Sequence, residues 1–265
     1  MGDISIAEDM IKTAKLCGAD YIKFQKRNPE ISVPKNQQHK SHPRPEQSFG
    51  DTYLNHRKYL EFNIDQQKHL QDVCKKTGIE YSCSVWDIKS AQEILSLSPN
   101  YVKIPSAMNN NYKLLDYVYQ NSHCDVHVSL GMINSEEIEQ LSDYLSAYID
   151  RTVVYWTTSG YPVKFEELFL LEIQKLVERF PRVGFSGHHL GIAADVAAYV
   201  LGATWIERHF TLDRTWKGTD QAASLEPSGL EKLCRDIKAI QKSLQYKVGI
   251  TNDEKKNRQK LRISS

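Results

Sequence analysis

The stretch "RVGFSGHHLGIAADVAAYVLGATWIERHF", residues 182–210, decides the fold. It opens on a short extended run, passes through a helix-like segment over 190–201, and returns through a second extended run at 204–208. Two extended runs joined by a helix, with no hairpin turn between them, read as a parallel βαβ unit. His188 stands just past the first run and His209 closes the second. The two imidazoles therefore sit at the same ends of neighbouring strands, which lie about 4.8 Å apart in a sheet.

Working outward, the same alternation fills the chain. Strands at 20–25, 79–83, 101–104, 125–129, 152–156, 183–186 and 204–208 alternate with helices at 64–76, 87–97, 111–120, 135–147, 165–179, 190–201 and 227–245. A further helix precedes the first strand, where Ile4, Ala7, Met10, Ile11 and Ala14 share a face and Gly18 marks the stop. Seven strands and eight helices, starting with a helix, predict an α/β protein of the (β/α)8 TIM-barrel class whose first strand is missing from this chain. The rival is a doubly wound open sheet, and the lack of a GxGxxG fingerprint counts against it. Residues 26–62 are polar, rich in Pro, His, Asn and Gln, and too long for an ordinary connection, so they read as an active-site loop or lid. The barrel domain is assigned to 1–248, and 249–265 to a charged, mobile tail.

The 265 residues carry a net charge of +1, which argues against nucleic-acid or membrane-surface binding through bulk charge. Cys17, Cys74, Cys83, Cys124 and Cys234 are scattered and lack CxxC spacing, so they read as reduced thiols rather than a disulfide frame or a zinc site. No run has membrane-spanning length and no charged-then-apolar leader opens the chain. A cytoplasmic location is the expectation.

In a barrel, functional side chains gather at the C-terminal ends of the strands, and strand alternation selects those that point inward. In "YIKFQ", Lys23 shares a face with Tyr21 and Gln25, while Ile22 and Phe24 face the helices. In "YVKIP", Lys103 alternates against Val102 and Ile104. A buried ammonium requires an anion. Two of them at one barrel mouth point to a small ligand with several negative charges, such as a phosphate with a carboxylate. The competing reading pairs each lysine with an internal Asp or Glu. Ser84, Ser106, Ser129 and Ser186 stand at or just after strand ends. Singly they read as loop or cap residues, and together as a ring of donors for a phosphate. His188 and His209 can share one divalent ion that keeps positions open for water and substrate oxygens. Ligation by nitrogen and oxygen without sulfur suits Mn2+ or another first-row ion. Taken alone, each histidine reads as a structural residue. No GxSxG elbow marks a serine nucleophile.

The stretch "SGHHLGIAADVAAYVLGATWIERHFTLDRTWKGTDQAASLEP" resembles the sialic acid synthase (N-acetylneuraminate synthase) family, and "GADYIKFQK", "YVKIPSAMNNNYKLL", "VSLGM" and "TSGYP" match it in the same order. The resemblance covers nearly the whole chain. It implies a (β/α)8 barrel that condenses phosphoenolpyruvate with N-acetylmannosamine, its 6-phosphate or a related 2-acetamido sugar, giving a nonulosonic acid and phosphate. It implies Mn2+ or another divalent cation on His188 and His209. Lys23, Lys103, Ser84, Ser106, Ser129 and Ser186 fall on its phosphoenolpyruvate contacts. Gln25, Tyr161 and Asp220 fall on or near the sugar side, and Ser159 stands where many relatives carry Asn. A homodimer and a C-terminal antifreeze-like domain beyond the tail are implied by resemblance alone. The chain departs from the family at the first strand, a Glu-bearing segment reading roughly AEIGxNHxG. It departs again at Met108, which replaces an acidic sugar-binding residue, and at His189, which replaces Glu or Thr. Those departures motivate a second reading, a non-catalytic barrel that retains ligand or partner binding. A third is a Schiff-base aldolase using Lys23 or Lys103.

Overall fold

Residues that stop one element and start the next punctuate the chain throughout the computed structural model, which describes residues 2–263. Helix α1 (Ile4–Leu16) begins at Asp3, whose carboxylate accepts the N–H groups of Ser5 and Ile6, and it feeds β1 (Tyr21–Lys26). Two short helices follow, α2 (Pro29–Ser32) capped by Asn28 and α3 (Tyr53–Leu60) capped by Thr52. Asn63 and Gln66 form a reciprocal capping box at the start of α4 (Ile64–Thr77), and Gly78 ends it in the left-handed conformation, φ 75°. Then come β2 (Glu80–Val85), α5 (Ile88–Leu95), β3 (Tyr101–Ile104), α6 (Tyr112–Asn121) and β4 (Asp125–Ser129). A second capping box, Asn134 with Glu137, opens α7 (Ser135–Ser146), followed by β5 (Thr152–Thr157) and α8 (Glu172–Arg179). The quoted stretch supplies β6 (Val183–Gly187), α9 (Ala193–Val200) and β7 (Trp205–Arg208), and the chain continues into α10 (Pro227–Ser243) and α11 (Asn252–Leu261).

The seven strands form one sheet in consecutive order, every pair parallel. Alternation sorts their side chains. In β4, Val126 and Val128 lie fully buried in the layer under the helices, while His127 and Ser129 take the other face. The sheet curls until its two ends approach each other. Tyr21 of β1 and Trp205 of β7 stand 5.4 Å apart by ring centroid, and Lys23 of β1 is 3.8 Å from Glu207 of β7. An open cleft of about 810 Å3 separates these outer strands, with α1 and α10 contributing apolar residues to its wall.

Each strand of the sequence reading appears within two residues of its expected bounds. The 26–62 segment is more ordered than a loop. It contains α2, α3 and a 3-10 turn at Pro45–Gln47, and the clustered rings of His42, Phe49, Tyr53 and His56 give it a small core of its own. The helix expected over 165–179 is broken: a 3-10 turn at Phe165–Glu167 is followed by Phe169 at φ 46°, and α8 starts only at Glu172. The tail expected to be mobile forms α11, with Thr251 and Glu254 as a capping box and an exposed surface throughout. All five cysteines are unpaired. Among the described residues no helix is long and apolar enough to cross a membrane.

Candidate active site

The inward faces of the strands build the site in two levels. The lower level is aromatic. Tyr101 stacks on His127 at 3.7 Å, His127 meets Trp205 edge-on at 4.6 Å, and Tyr21 closes the ring against Tyr101 at 5.2 Å. Tyr155 joins them through a hydrogen bond with His127 Nδ1 at 3.0 Å. A Cβ on Gly184 would lie 2.6 Å from the Tyr155 ring, so glycine is what lets β6 pass that ring. Lys103 rests on this floor, its Nζ 4.0 Å above the Tyr155 ring centroid.

Glu207 is the hub of the upper level. Its Oε1 accepts hydrogen bonds from Lys103 Nζ at 2.6 Å and Ser186 Oγ at 3.0 Å, and its Oε2 lies 3.8 Å from Lys23 Nζ. Lys23 in turn donates to Ser84 Oγ at 2.8 Å. Both lysines point inward as expected, and the anion between them belongs to the protein itself. The internal-acid reading of the two lysines therefore holds in this structure. Burial disfavours ionisation of Glu207, yet Lys103, Lys23 and the hydrogen bonds from Lys103 and Ser186 hold its carboxyl well below the usual carboxylate range. Burial pushes Lys103 down to about 8, against the upward pull of Glu207.

His188 and His209 come together at the neighbouring strand ends, ring centroids 5.2 Å apart. His188 Nδ1 is engaged by the Thr158 carbonyl at 2.8 Å, which makes Nδ1 the protonated nitrogen and leaves Nε2 as a lone-pair donor. Burial, reinforced by His209, pushes His188 down to about 4, so it is neutral and ligand-competent at neutral pH. Burial lowers His209 as well. Asp220 Oδ2 lies 3.9 Å from His209 Nδ1, and the Tyr161 ring packs against both imidazoles at 4.4 and 5.6 Å. Two nitrogen donors in this arrangement fit a shared first-row ion. Among the described residues no group of three or more His, Cys, Asp and Glu side chains has metal-holding geometry.

The remaining predicted residues divide between two places. Ser106 and Ser159 converge on Gly131, where a Cβ would meet their hydroxyls at 2.6 and 2.5 Å. Ser159 Oγ is buried there without a hydrogen-bond partner. Ser129 is buried on the inward face just before this turn. Gln25 lines the cleft, but its side-chain carbonyl is taken by Arg27 Nη2 at 2.7 Å and Trp86 Nε1 at 3.1 Å. Lys23, His209 and Asp220 line the same cleft. Met108 packs against the core, and His189 is fully buried with Nε2 3.4 Å from Asp195.

Three residues that shape this site escape a reading of the sequence. Glu207 was legible: if His209 points inward, alternation puts Glu207 on the same face two residues earlier. Arg208, on the opposite face, ties the loop after β6 to β7 by donating to the carbonyls of His189 and Gly191 at 2.6 and 2.7 Å and pairing with Asp195 at 2.6 Å. It thereby fixes the segment that carries His188 relative to the strand that carries His209. Asn109 donates to the carbonyls of Ser129 and Gly131, both at 2.9 Å, and shapes the turn under the serines. Nothing in the run "AMNNN" separates that asparagine from its neighbours.

Comparison with known proteins agrees with this geometry. Residues 10–249 match the NeuB family. The chain is 37% identical over 248 residues to N-acetylneuraminate-9-phosphate synthase of Mus musculus, covering 92% of this chain and 68% of that protein. It is 32% identical over 247 residues to N,N'-diacetyllegionaminic acid synthase of Campylobacter jejuni, covering 92% and 74%. Among solved structures it is similar to the N-acetylneuraminic acid synthetase of Leptospira borgpetersenii in complex with citrate, with TM-score 0.83, 26% identity, and coverage of 99% of this chain and 89% of that one.

Proposed function

The chain belongs to the NeuB family, and on that premise we propose that it is a sialic-acid-type synthase acting in the cavity built around Glu207. The substrates we assign are phosphoenolpyruvate and N-acetylmannosamine, its 6-phosphate or a related 2-acetamido sugar. The observation that carries the reading is the convergence of Lys23, Lys103 and Glu207 beside the His188–His209 pair at the strand ends.

The electrostatics support this assignment. Lys23 and Lys103 less Glu207 leave a formal charge of 2 − 1 = +1. Phosphoenolpyruvate carries about −3 near neutral pH, two charges on phosphate and one on carboxylate. A divalent cation on His188 and His209 would offset two further charges of the loaded site, and we propose Mn2+ or another first-row ion there. Such an ion, when bound, supplies Lewis acidity toward the sugar carbonyl. Lys103 and Lys23 offset the charge of phosphate and carboxylate, and Ser186 and Ser84 supply hydroxyl donors at the same level. Ser106, Ser159 and the turn at Gly131 form a second polar cradle, where the orphan Ser159 hydroxyl awaits an acceptor. Tyr161 and Asp220 flank the histidines on the sugar side. Carbon 3 of the enol adds to the sugar aldehyde, water adds to carbon 2, and phosphate leaves with cleavage of the carbon–oxygen bond.

We further propose that the curled sheet is a (β/α)8 barrel lacking its first strand, whose place is the cleft between β1 and β7. An open cleft beside the site favours one alternative, a barrel that binds ligand without turnover. Phosphate release separates the two. The synthase reading requires phosphate to appear only when phosphoenolpyruvate, aminosugar and a divalent cation are all present. Calorimetric binding of phosphoenolpyruvate with no phosphate released would replace it with the binding-only reading.

A further inference from the structure

Behind the two imidazoles, on the helix side of β7, lies a buried charged cluster that the condensation chemistry does not use. Alternation along β7 turns Glu207 inward and Arg208 toward the helices. The Arg208 side chain is 2% exposed, and the Asp195 and His189 side chains beside it are fully buried. Arg208 Nη1 donates to Asp195 Oδ2 at 2.6 Å and to the Gly191 carbonyl at 2.7 Å. Its Nη2 donates to the His189 carbonyl at 2.6 Å and, at 3.4 Å, to the carbonyl of Ala223, in the turn that opens at Asp220. One guanidinium therefore grips three segments: the loop after β6, the first turn of α9 and the turn at 220–223.

As a source of stability the cluster is poorly built. Among the described residues, Arg208 Nε, Asp195 Oδ1 and His189 Nδ1 are buried with no hydrogen-bond partner. A buried ion pair with polar atoms left over contributes less than well-packed apolar side chains of similar volume. What the cluster supplies is placement. Arg208 immediately precedes His209, and its Nη2 holds the carbonyl of the residue that follows His188. The rings of His188 and His189 go to different surroundings. That of His188 meets His209 and Tyr161, while that of His189 lies 6.0 Å from each of the Phe165 and Phe185 rings. The Thr158 carbonyl sets the rotation of the His188 ring, and Arg208 sets the backbone from which that ring hangs.

We propose that Arg208 is the positioning residue of the histidine pair. It touches neither substrate nor ion, and it sets the separation of the two imidazoles, 5.2 Å between ring centroids, at which one divalent cation can use both. The proposal rests on the reading that places the cation on His188 and His209. Lysine cannot take the same part. A single ammonium can pair with Asp195, but it lacks the planar fork that reaches the His189 and Gly191 carbonyls while doing so.

The test titrates the metal-free wild type, Arg208→Lys and Arg208→Ala with Co2+, read by visible absorption, and with Mn2+, read by electron paramagnetic resonance. Neither measurement needs turnover, so the outcome does not depend on the synthase reading. Both substitutions lower the affinity for either ion by about tenfold or more and change the Co2+ spectrum, while the circular dichroism spectrum is retained. Methylguanidinium at millimolar concentration refills the vacated space and restores affinity and spectrum to Arg208→Ala. It does not restore them to Arg208→Lys, whose own side chain occupies that space. Affinity and spectrum unchanged in both variants, or a loss in Arg208→Ala that methylguanidinium does not repair, overturns the proposal and leaves the cation site standing. A wild type that binds neither ion overturns the cation reading and the proposal with it. Should Arg208→Ala fail to fold, Arg208→Lys decides alone: a folded variant with a changed Co2+ spectrum supports the proposal, and one with the wild-type spectrum overturns it.

Discussion

Glu207→Gln is the most informative single change, because glutamine keeps the shape and one acceptor while removing the charge between two lysines. Removing one member of a buried ion pair costs about 3–5 kcal/mol. Lys103 is 3% exposed at its side chain but Glu207 is 22% exposed, so the lower figure applies. About 3 kcal/mol corresponds to a fall in Tm of about 6–12 °C for a chain of this size. The pH dependence carries the sharper signature. Burial lowers the folded-state pKa of Lys103 to about 8, below its unfolded value of about 10.4, so its protonation opposes folding with a penalty that is constant below pH 8 and fades as pH rises from about 8 toward 10.4. Without Glu207 the upward pull disappears and the Lys103 pKa falls further. In the variant the penalty therefore fades at lower pH, and the Tm gap between variant and wild type narrows between neutral pH and pH 8. Adding Lys103→Met to Glu207→Gln removes the stranded ammonium and recovers about 1–2 kcal/mol. Thermal unfolding of the three proteins across that pH range is the assay. A Glu207→Gln Tm within about 2 °C of wild type, a gap that widens with pH, or a double variant less stable than the single one would refute the reasoning.

Three other outcomes follow from the same geometry. Gly131→Ala drives a methyl group into the hydroxyls of Ser159 and Ser106, and steady-state kinetics should show KM for phosphoenolpyruvate rising by about tenfold or more while the circular dichroism spectrum is unchanged. The value of kcat/KM for phosphoenolpyruvate falls above pH 8 as free-enzyme Lys103 loses its proton, approaching a tenfold loss per pH unit; a flat profile to pH 9.5 excludes Lys103 as the anion contact. His188→Ala removes one of the two nitrogens, and calorimetric titration with Mn2+ should show affinity reduced by about 100-fold or more, whereas unchanged affinity places the ion elsewhere.

Period-two alternation made most of this site readable before any coordinates. It sent Lys23 and Lys103 inward, put hydroxyls at strand ends, and set His188 beside His209, because each of those inferences needs only the local strand and its sheet neighbour. What it missed depends on chain segments far apart in sequence. The counter-ion for Lys103 lies 104 residues away, and that for Lys23 on the opposite outer strand. Glu207 shares a face with His209, so attention to the face rather than to the histidine alone would have found it. Arg208 and Asn109 are of another kind. They act on backbone carbonyls, which every residue possesses, so no pattern of side chains signals them. The order within 26–62 escapes a reading by periodicity for a related reason: it comes from rings that meet across turns, His42 on His56 and Phe49 on Tyr59.

The two lysines do not depend on the sheet in the same way. Lys103 and Glu207 approach across the barrel interior at 2.6 Å, their positions fixed by an unbroken series of paired strands from β3 to β7. Lys23 and Glu207 approach at 3.8 Å across the cleft, where no backbone hydrogen bond joins β1 to β7. The aromatic contact of Tyr21 with Trp205 two residues earlier on each strand is what sets their separation there. A strand seated in the cleft would replace that side-chain contact with two ladders of backbone hydrogen bonds and fix the distance rigidly. It follows that anything filling the cleft acts first on Lys23 and leaves Lys103 where it is. The cleft and the chemistry are therefore one structural question, and Lys23 is the residue through which an occupant of the first would be felt by the second.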